Sequence, residues 1–300
     1  MEYIEAKQIL VPTQDHLWFG SDYTMNLYKG CCHGCIYCDS RSRCYGVTEF
    51  DRVRAKKDAL VLLEKELRGK RKKGIVASGS MTDPYNPFEE ELRLTRGSLE
   101  LLNENGYGVS VTTKSTLLTR DIDLFQKIRA HSPVICGITI TAGDDELGKK
   151  IEPHAPSSTE RFEAIKRLSA EGVYCGILLT PILPFITDTE ENILYIIHKA
   201  KEAGAKFIYP TLGVTLRDNQ REYFYDRLDE LFPGMRQQYI KEYGENYYCG
   251  TKKSIELYAS LKKECKKLGL LYRMQDLVEE CEEQYKFEQI SFLDHIDLNL

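Results

Sequence analysis

The residues best placed for chemistry in this chain are three cysteines in one short segment. In Tyr28-Lys-Gly-Cys31-Cys32-His33-Gly34-Cys35-Ile36-Tyr37-Cys38, passing over Cys32 leaves Cys31, Cys35 and Cys38 as Cys-x3-Cys-x2-Cys. Soft thiolates suit zinc and iron–sulfur clusters, and three of them in one loop can wrap a compact centre. A structural zinc site normally takes four ligands and often shows a second Cys-x2-Cys pair; this chain lacks that pair, although His33 or Cys44 could complete the set. A 4Fe–4S cubane held by three cysteines instead leaves one iron open to a small molecule. The incomplete set therefore points to an open cluster. The competing expectation is a non-catalytic iron–sulfur or zinc protein whose cysteine loop is structural or redox-sensing.

Such a loop needs a scaffold. From about residue 23 to 212, short runs rich in β-branched residues alternate with longer amphipathic segments, the pattern of βα units. Strands are expected at 24–28, 74–77, 109–113, 135–141, 173–180 and 207–211, and helices at 53–67, 90–103, 121–130, 158–170 and 189–203. Right-handed crossovers between parallel strands gather all strand C-termini at one end, and a curled sheet makes a rim of the loops that leave them. The cysteine loop leaves the first strand and falls on that rim. After Arg217 the pattern changes to charged, aromatic-rich helical segments at 219–231, 235–243, 252–268 and 275–283. The expected division is an N-terminal segment (1–22), an α/β unit (23–217) and a C-terminal helical cap packed on it (218–300).

The chain has 300 residues and ten cysteines. The first 13 residues carry Glu2 and Glu5 and no continuous apolar stretch, so neither a secretory signal nor a transit peptide is expected, and the cysteines read as metal ligands or buried thiols rather than a disulfide scaffold. The most apolar stretch, 172–186, is short of a membrane span and is interrupted by Pro181 and Pro184. No membrane partner and a cytoplasmic location are expected. A net charge of −5 argues weakly against gripping nucleic acid by bulk electrostatics. The basic run Lys70-Arg71-Lys72-Lys73 precedes the second strand, opposite the rim, and reads as a solvated loop. Cys32 and Cys44 are expected to be loop thiols. Cys136, Cys175, Cys249, Cys265 and Cys281 are expected to be buried rather than ligands of a second cluster, because none forms a close pair. Tyr223, Tyr225, Tyr243, Tyr247 and Tyr248 are read as packing helices onto the barrel, with base stacking as the alternative.

The cysteine spacing, with the aromatic Tyr37 before the last cysteine, resembles the signature of the radical S-adenosylmethionine superfamily. Asn26-Leu-Tyr-Lys-Gly-Cys31, Thr82-Asp83-Pro84-Tyr85, Thr113-Lys114-Ser115, Ile151-Glu152-Pro153 and Pro181-Ile-Leu-Pro184 look like blocks of its spore photoproduct lyase-like branch. Phe232-Pro-Gly-Met-Arg236 and Tyr248-Cys249 are similar to that branch's C-terminal region. The resemblance implies a partial (β/α)6 TIM-like barrel with an appended C-terminal helical region. It implies a 4Fe–4S cluster on Cys31, Cys35 and Cys38, and reductive cleavage of S-adenosylmethionine to a 5′-deoxyadenosyl radical that abstracts hydrogen from substrate. The electron would come from a reduced flavodoxin or ferredoxin-type donor. The backbone around Tyr37 would hold the adenine, Thr82 and Asp83 the ammonium group, and Lys114 the methionyl carboxylate. Thr139 or Thr141 would bond the ribose, and 181–185 would touch the adenine face. Glu152 and Arg161 are open between an ion pair and a ligand role. Read without the resemblance, Asp83-Pro84 is equally a turn initiator and Lys114 an exposed loop lysine. Where the lyase carries a hydrogen-donating cysteine just before the aspartate of the strand-two loop, this chain reads Ser80-Met81-Thr82-Asp83, and a thioether has no S–H to give. The expected activity is therefore lyase-like with the final reaction open, the substrate being a nucleic-acid lesion or a small molecule or peptide.

Overall fold

The computed structural model describes residues 1–13 and 18–293. The described strands are β1 (Glu2–Ile4), β2 (Leu10–Pro12), β3 (Tyr23–Met25), β4 (Tyr28–Lys29), β5 (Arg54–Lys56), β6 (Ile75–Ser78), β7 (Gly108–Thr113), β8 (Val134–Thr139), β9 (Cys175–Leu179), β10 (Phe207–Pro210), β11 (Gly213–Thr215) and β12 (Tyr248–Gly250). The α-helices are α1 (Ala59–Gly69), α2 (Glu89–Leu92), α3 (Leu94–Glu104), α4 (Ile122–Arg129), α5 (Asp145–Ile151), α6 (Ser158–Ala170), α7 (Glu190–Glu202), α8 (Gln220–Leu231), α9 (Met235–Tyr243), α10 (Ser254–Leu268) and α11 (Met274–Leu293).

The main sheet runs β10-β9-β8-β7-β6-β3-β2. Its six strands from β3 to β10 are parallel, and β2 pairs with β3 antiparallel. They are the six strands expected from the sequence, in an open, partial (β/α)6 arrangement. Both faces of the central strands are covered: every residue of β6, β7, β8 and β9 is buried, as continuous apolar and β-branched runs in a parallel sheet require. The crossover helices turn an apolar stripe inward. Ala59, Leu63 and Leu67 do so in α1, and Ile193, Ile196, Ile197 and Ala200 in α7. Helix α6 begins at a reciprocal capping box in which the Ser157 hydroxyl accepts from the Glu160 amide while the Glu160 carboxylate accepts from the Ser157 amide.

Two expected helices differ from the sequence reading. The one expected from residue 53 starts at Ala59, because Arg54–Lys56 joins β1 and β4 in a three-stranded sheet. The one expected over 90–103 is broken at Arg93, whose φ of 51° is left-handed. The cause is Glu89. Its buried carboxylate accepts from Tyr28 Oη and from the Thr95 and Arg96 amides, which restarts the helix one turn on. Helix α5 lies where no helix was expected.

The C-terminal segments divide their attachment. Helices α8 and α9 pack with Cys35, Ile36 and Tyr37 in a core of their own, α10 lies on α7, and Leu277 and Cys281 of α11 pack with Ile135, Tyr174 and Phe207 at the strand N-terminal ends. Among the described residues no helix is long and apolar enough to cross a membrane.

Candidate functional site

The loop after β4 carries the three cysteines, and distant segments bind its backbone. The Cys31 amide donates to Phe50 O (2.8 Å), the Ile36 amide to Ile151 O (3.0 Å), and the His154 amide to His33 O (3.1 Å). The Gln220 side-chain amide donates to Tyr37 O at 3.1 Å. Cys31, Cys35 and Cys38 are free thiols that face one cavity of about 570 Å³, shared with Tyr37, Thr82, Asp83, Lys114 and Thr139. Every parallel strand from β6 to β10 contributes its C-terminal end or the residues just beyond it. At β6 the chain escapes through Gly79 at φ 105°, where a Cβ would lie 1.9 Å from Thr112 O, so any side chain there would clash with the backbone of the neighbouring strand β7.

Asp83 is the centre of the polar network. Its Oδ1 accepts from the Tyr85 amide (2.9 Å) and Thr113 Oγ1 (2.6 Å), and its Oδ2 accepts from the Lys114 amide (2.8 Å). His33 Nε2, from within the cysteine loop, faces Oδ2 at 3.1 Å. Burial by itself would push this carboxyl up; the His33 imidazole and the Lys114 and Thr113 donors outweigh it and hold it at about 2. Thr82 Oγ1 donates to Gly30 O, so both residues of the Thr82-Asp83 pair grip the cysteine loop.

A second network lies on the opposite side of Tyr37. The phenol donates to Glu152 Oε1, Glu152 Oε2 lies 2.6 Å from Arg161 Nη1, and Arg161 donates to Thr139 O (2.9 Å) and Pro156 O (2.8 Å). Both charged groups are buried. Burial would raise the Glu152 carboxyl, but Arg161 and Lys114 hold it below its ordinary value. The ion-pair reading of Glu152 and Arg161 is the one the geometry shows. The Lys114 ammonium sits 5.5 Å from the centre of the Tyr37 ring. Burial would lower it, and the nearby Cys35 and Glu152 raise it instead. Burial likewise pushes the Cys35 thiol up to about 12 against the pull of Lys114, and it raises Cys31 and Cys38. Thiolates here need a neighbouring positive centre.

Of the two threonines proposed for one ligand face, Thr139 lines the cavity. Thr141 does not: its hydroxyl is buried without a hydrogen-bond partner, and its carbonyl accepts from Asn192. Pro181 reaches the cavity, whereas Ile182 and Leu183 are in the core. Cys136, Cys175, Cys249, Cys265 and Cys281 are buried free thiols. Sequence reasoning missed Gln220 and passed over His33 except as a zinc ligand. It also missed the mouth of the cavity, where Asp39 Oδ1 accepts from Thr215 Oγ1 (3.0 Å) and lies 3.2 Å from Arg217 Nε. No local pattern marks these residues, because each acts on a partner distant in the chain.

The site is thus a cysteine loop and a lysine on the C-terminal rim of a parallel α/β sheet. Residues 25–200 match the model of the radical SAM superfamily, and the chain belongs to that family. An uncharacterized protein of Mycobacterium tuberculosis (strain ATCC 25618 / H37Rv) is 31% identical over 233 residues, covering 75% of this chain and 68% of the relative. One of Methanocaldococcus jannaschii is 34% identical over 200 residues, 66% of this chain and 72% of its own. Among solved structures, spore photoproduct lyase complexed with dinucleoside spore photoproduct aligns with a TM-score of 0.63 at 12% identity, covering 90% of this chain and 81% of that one. At that identity the likeness is one of fold.

Proposed function

We propose that this chain is a radical S-adenosylmethionine enzyme in which Cys31, Cys35 and Cys38 hold a 4Fe–4S cluster. The observation that carries the reading is that these three thiols and the ammonium of Lys114 share one cavity at the C-terminal ends of the parallel strands. The donor set fits the group. Three soft ligands share a pocket with one cation, and the cysteine-loop backbone is tied at five points. Three soft thiolates with one ligand position left open suit an iron–sulfur cluster better than a four-ligand structural zinc site.

A reduced cluster of this kind supplies the electron for reductive cleavage of S-adenosylmethionine. The chain's own contribution is placement. Lys114 is the cation for the methionyl carboxylate, and Asp83 and Thr82 provide negative and polar character toward the ammonium while bracing the loop. Tyr37 and Thr139 border the nucleoside; Thr141, outside the cavity, takes no part. The buried rim excludes water from a reactive intermediate. A reduced flavodoxin or ferredoxin-type protein is the proposed electron donor. Met81 lines the cavity and has no S–H hydrogen to donate, so the reading stops at hydrogen abstraction and does not extend to the lyase reaction.

Anaerobic reconstitution with iron and sulfide, reduction, and addition of S-adenosylmethionine should release 5′-deoxyadenosine well above a Cys35→Ala control. A fully loaded cluster that gives none under several reductants overturns the reading, and zinc without iron after anaerobic purification supports the non-catalytic alternative.

A further inference from the structure

The cluster side of the cavity is polar and braced; its other side is lined by Trp18, Tyr247 and Tyr248, which are 36%, 48% and 48% exposed. The packing role expected of the C-terminal tyrosines holds for Tyr225 and Tyr243, which are buried, and fails for this pair. Tyr248 is seated on bare backbone. A Cβ at Gly213 would lie 2.7 Å from Tyr248 Cζ and 2.6 Å from its Oη, so the ring rests against β11 with its other side open to the cavity. Trp18 arrives from a different part of the chain and is held by T-shaped contacts with Phe19 (5.0 Å between centroids) and Tyr209 (5.8 Å).

The polar groups at this mouth are already partnered. Arg217 donates to Tyr247 Oη (2.7 Å) and has Asp39 beside it, and Asp39 also accepts from Tyr45 Oη (2.6 Å). Lys114, on the cluster side, is the one lysine or arginine among the described lining residues. Open aromatic faces without free cations suit a flat, uncharged ring and not a phosphate backbone. We propose that Trp18 and Tyr248 bind a planar aromatic ring carried by a small-molecule substrate, such as a nucleoside or an aromatic amino-acid residue. The proposal rests on the radical-enzyme reading only for calling that molecule the substrate.

Trp18 is the chain's one tryptophan, so its emission reports on this cavity. Reconstituted protein is titrated anaerobically with thymidine, N-acetylphenylalaninamide and, as aliphatic control, N-acetylleucinamide, with Trp18→Phe as the optical blank. A saturable change is expected with at least one ring probe and none with the control, and the responding probe names the source of the ring. Tyr248→Phe should keep the affinity. Tyr248→Leu, its fold checked by circular dichroism, should weaken it about ten-fold, the effect of losing one stacking partner. No response to either ring, an equal response to the aliphatic control, or an unchanged affinity in Tyr248→Leu overturns the proposal. So does oligothymidylate binding that is much tighter than thymidine and falls steeply with salt, the mark of phosphate contact. Measuring 5′-deoxyadenosine on the same preparation keeps the two readings apart: cleavage without ring binding sinks this proposal alone, and ring binding with no cleavage under several reductants sinks the radical-enzyme reading alone.

Discussion

Asp83 shows how one side chain can serve a cofactor loop by holding the protein together around it. It joins the end of β6 to Thr113 and the Lys114 amide at the end of β7, and to His33 between two cysteines. Its folded value of about 2 lies below that of an unfolded aspartate. The stabilisation is therefore present above about pH 4 and is lost as pH falls from about 4 to about 2, a contribution of roughly 2 kcal/mol. Apo-protein unfolded by urea at several acid pH values should lose that increment, and Asp83→Asn should show a shallower dependence over the same window; parallel curves for the two would refute the linkage. Much of this was legible in advance. Cys31, Cys35, Cys38, Asp83, Lys114 and Thr139 were all singled out from spacing or resemblance, and all reach one cavity. His33 as the partner of Asp83 was not legible, since the contact joins positions fifty residues apart with no periodicity to link them.

At the scale of elements, the short runs rich in β-branched residues located all six parallel strands, and the four central ones, β6 to β9, are buried on both faces. What they could not locate depends on tertiary partners: the break at Arg93 follows from buried Glu89, and Arg54–Lys56 is a strand because Tyr28–Lys29 and Glu2–Ile4 lie beside it. The segment from α5 to α6 is of the same kind. It clasps the cysteine loop through Ile151 O, Glu152 and the His154 amide, and its charge is balanced by Arg161 alone among the side chains bonded to Glu152 that carry a cation. Arg161→Met should leave Glu152 buried without its bonded cation, with Lys114 as the nearby charge, at a cost of about 3–5 kcal/mol, whereas Arg161→Met with Glu152→Leu should recover most of it by replacing the pair with apolar volume. Chemical denaturation of the two variants measures the difference. If the single substitution costs under about 1 kcal/mol, the pair is solvated and the clasp is weaker than its geometry implies.

Over the whole molecule, the C-terminal region was legible as four helices but not as three separate attachments. Helix α11 takes the end opposite the cysteines. Leu277 and Cys281 are buried against Ile135, Tyr174 and Phe207, and Tyr174 Oη donates to Leu277 O at 3.1 Å. The Phe19 amide meets Met274 Sδ at 3.3 Å, a contact spanning 255 residues, which no local pattern can announce. The same apolar cluster contains Leu178, which also lines the cavity, and Phe19, against whose ring Trp18 is set. The floor of the ligand cavity is therefore the roof of the α11 contact, and loosening one should be felt by the other. Leu277→Ala should cost about 2–5 kcal/mol, the usual result of emptying a fully buried leucine site, seen as a lower urea midpoint at unchanged slope. Trp18 emission should shift in the folded variant although position 277 does not line the cavity. A midpoint change worth less than about 0.5 kcal/mol, the range of ordinary surface substitutions, would show that α11 does not help to stabilise the sheet, and the coupling to Trp18 would fall with it.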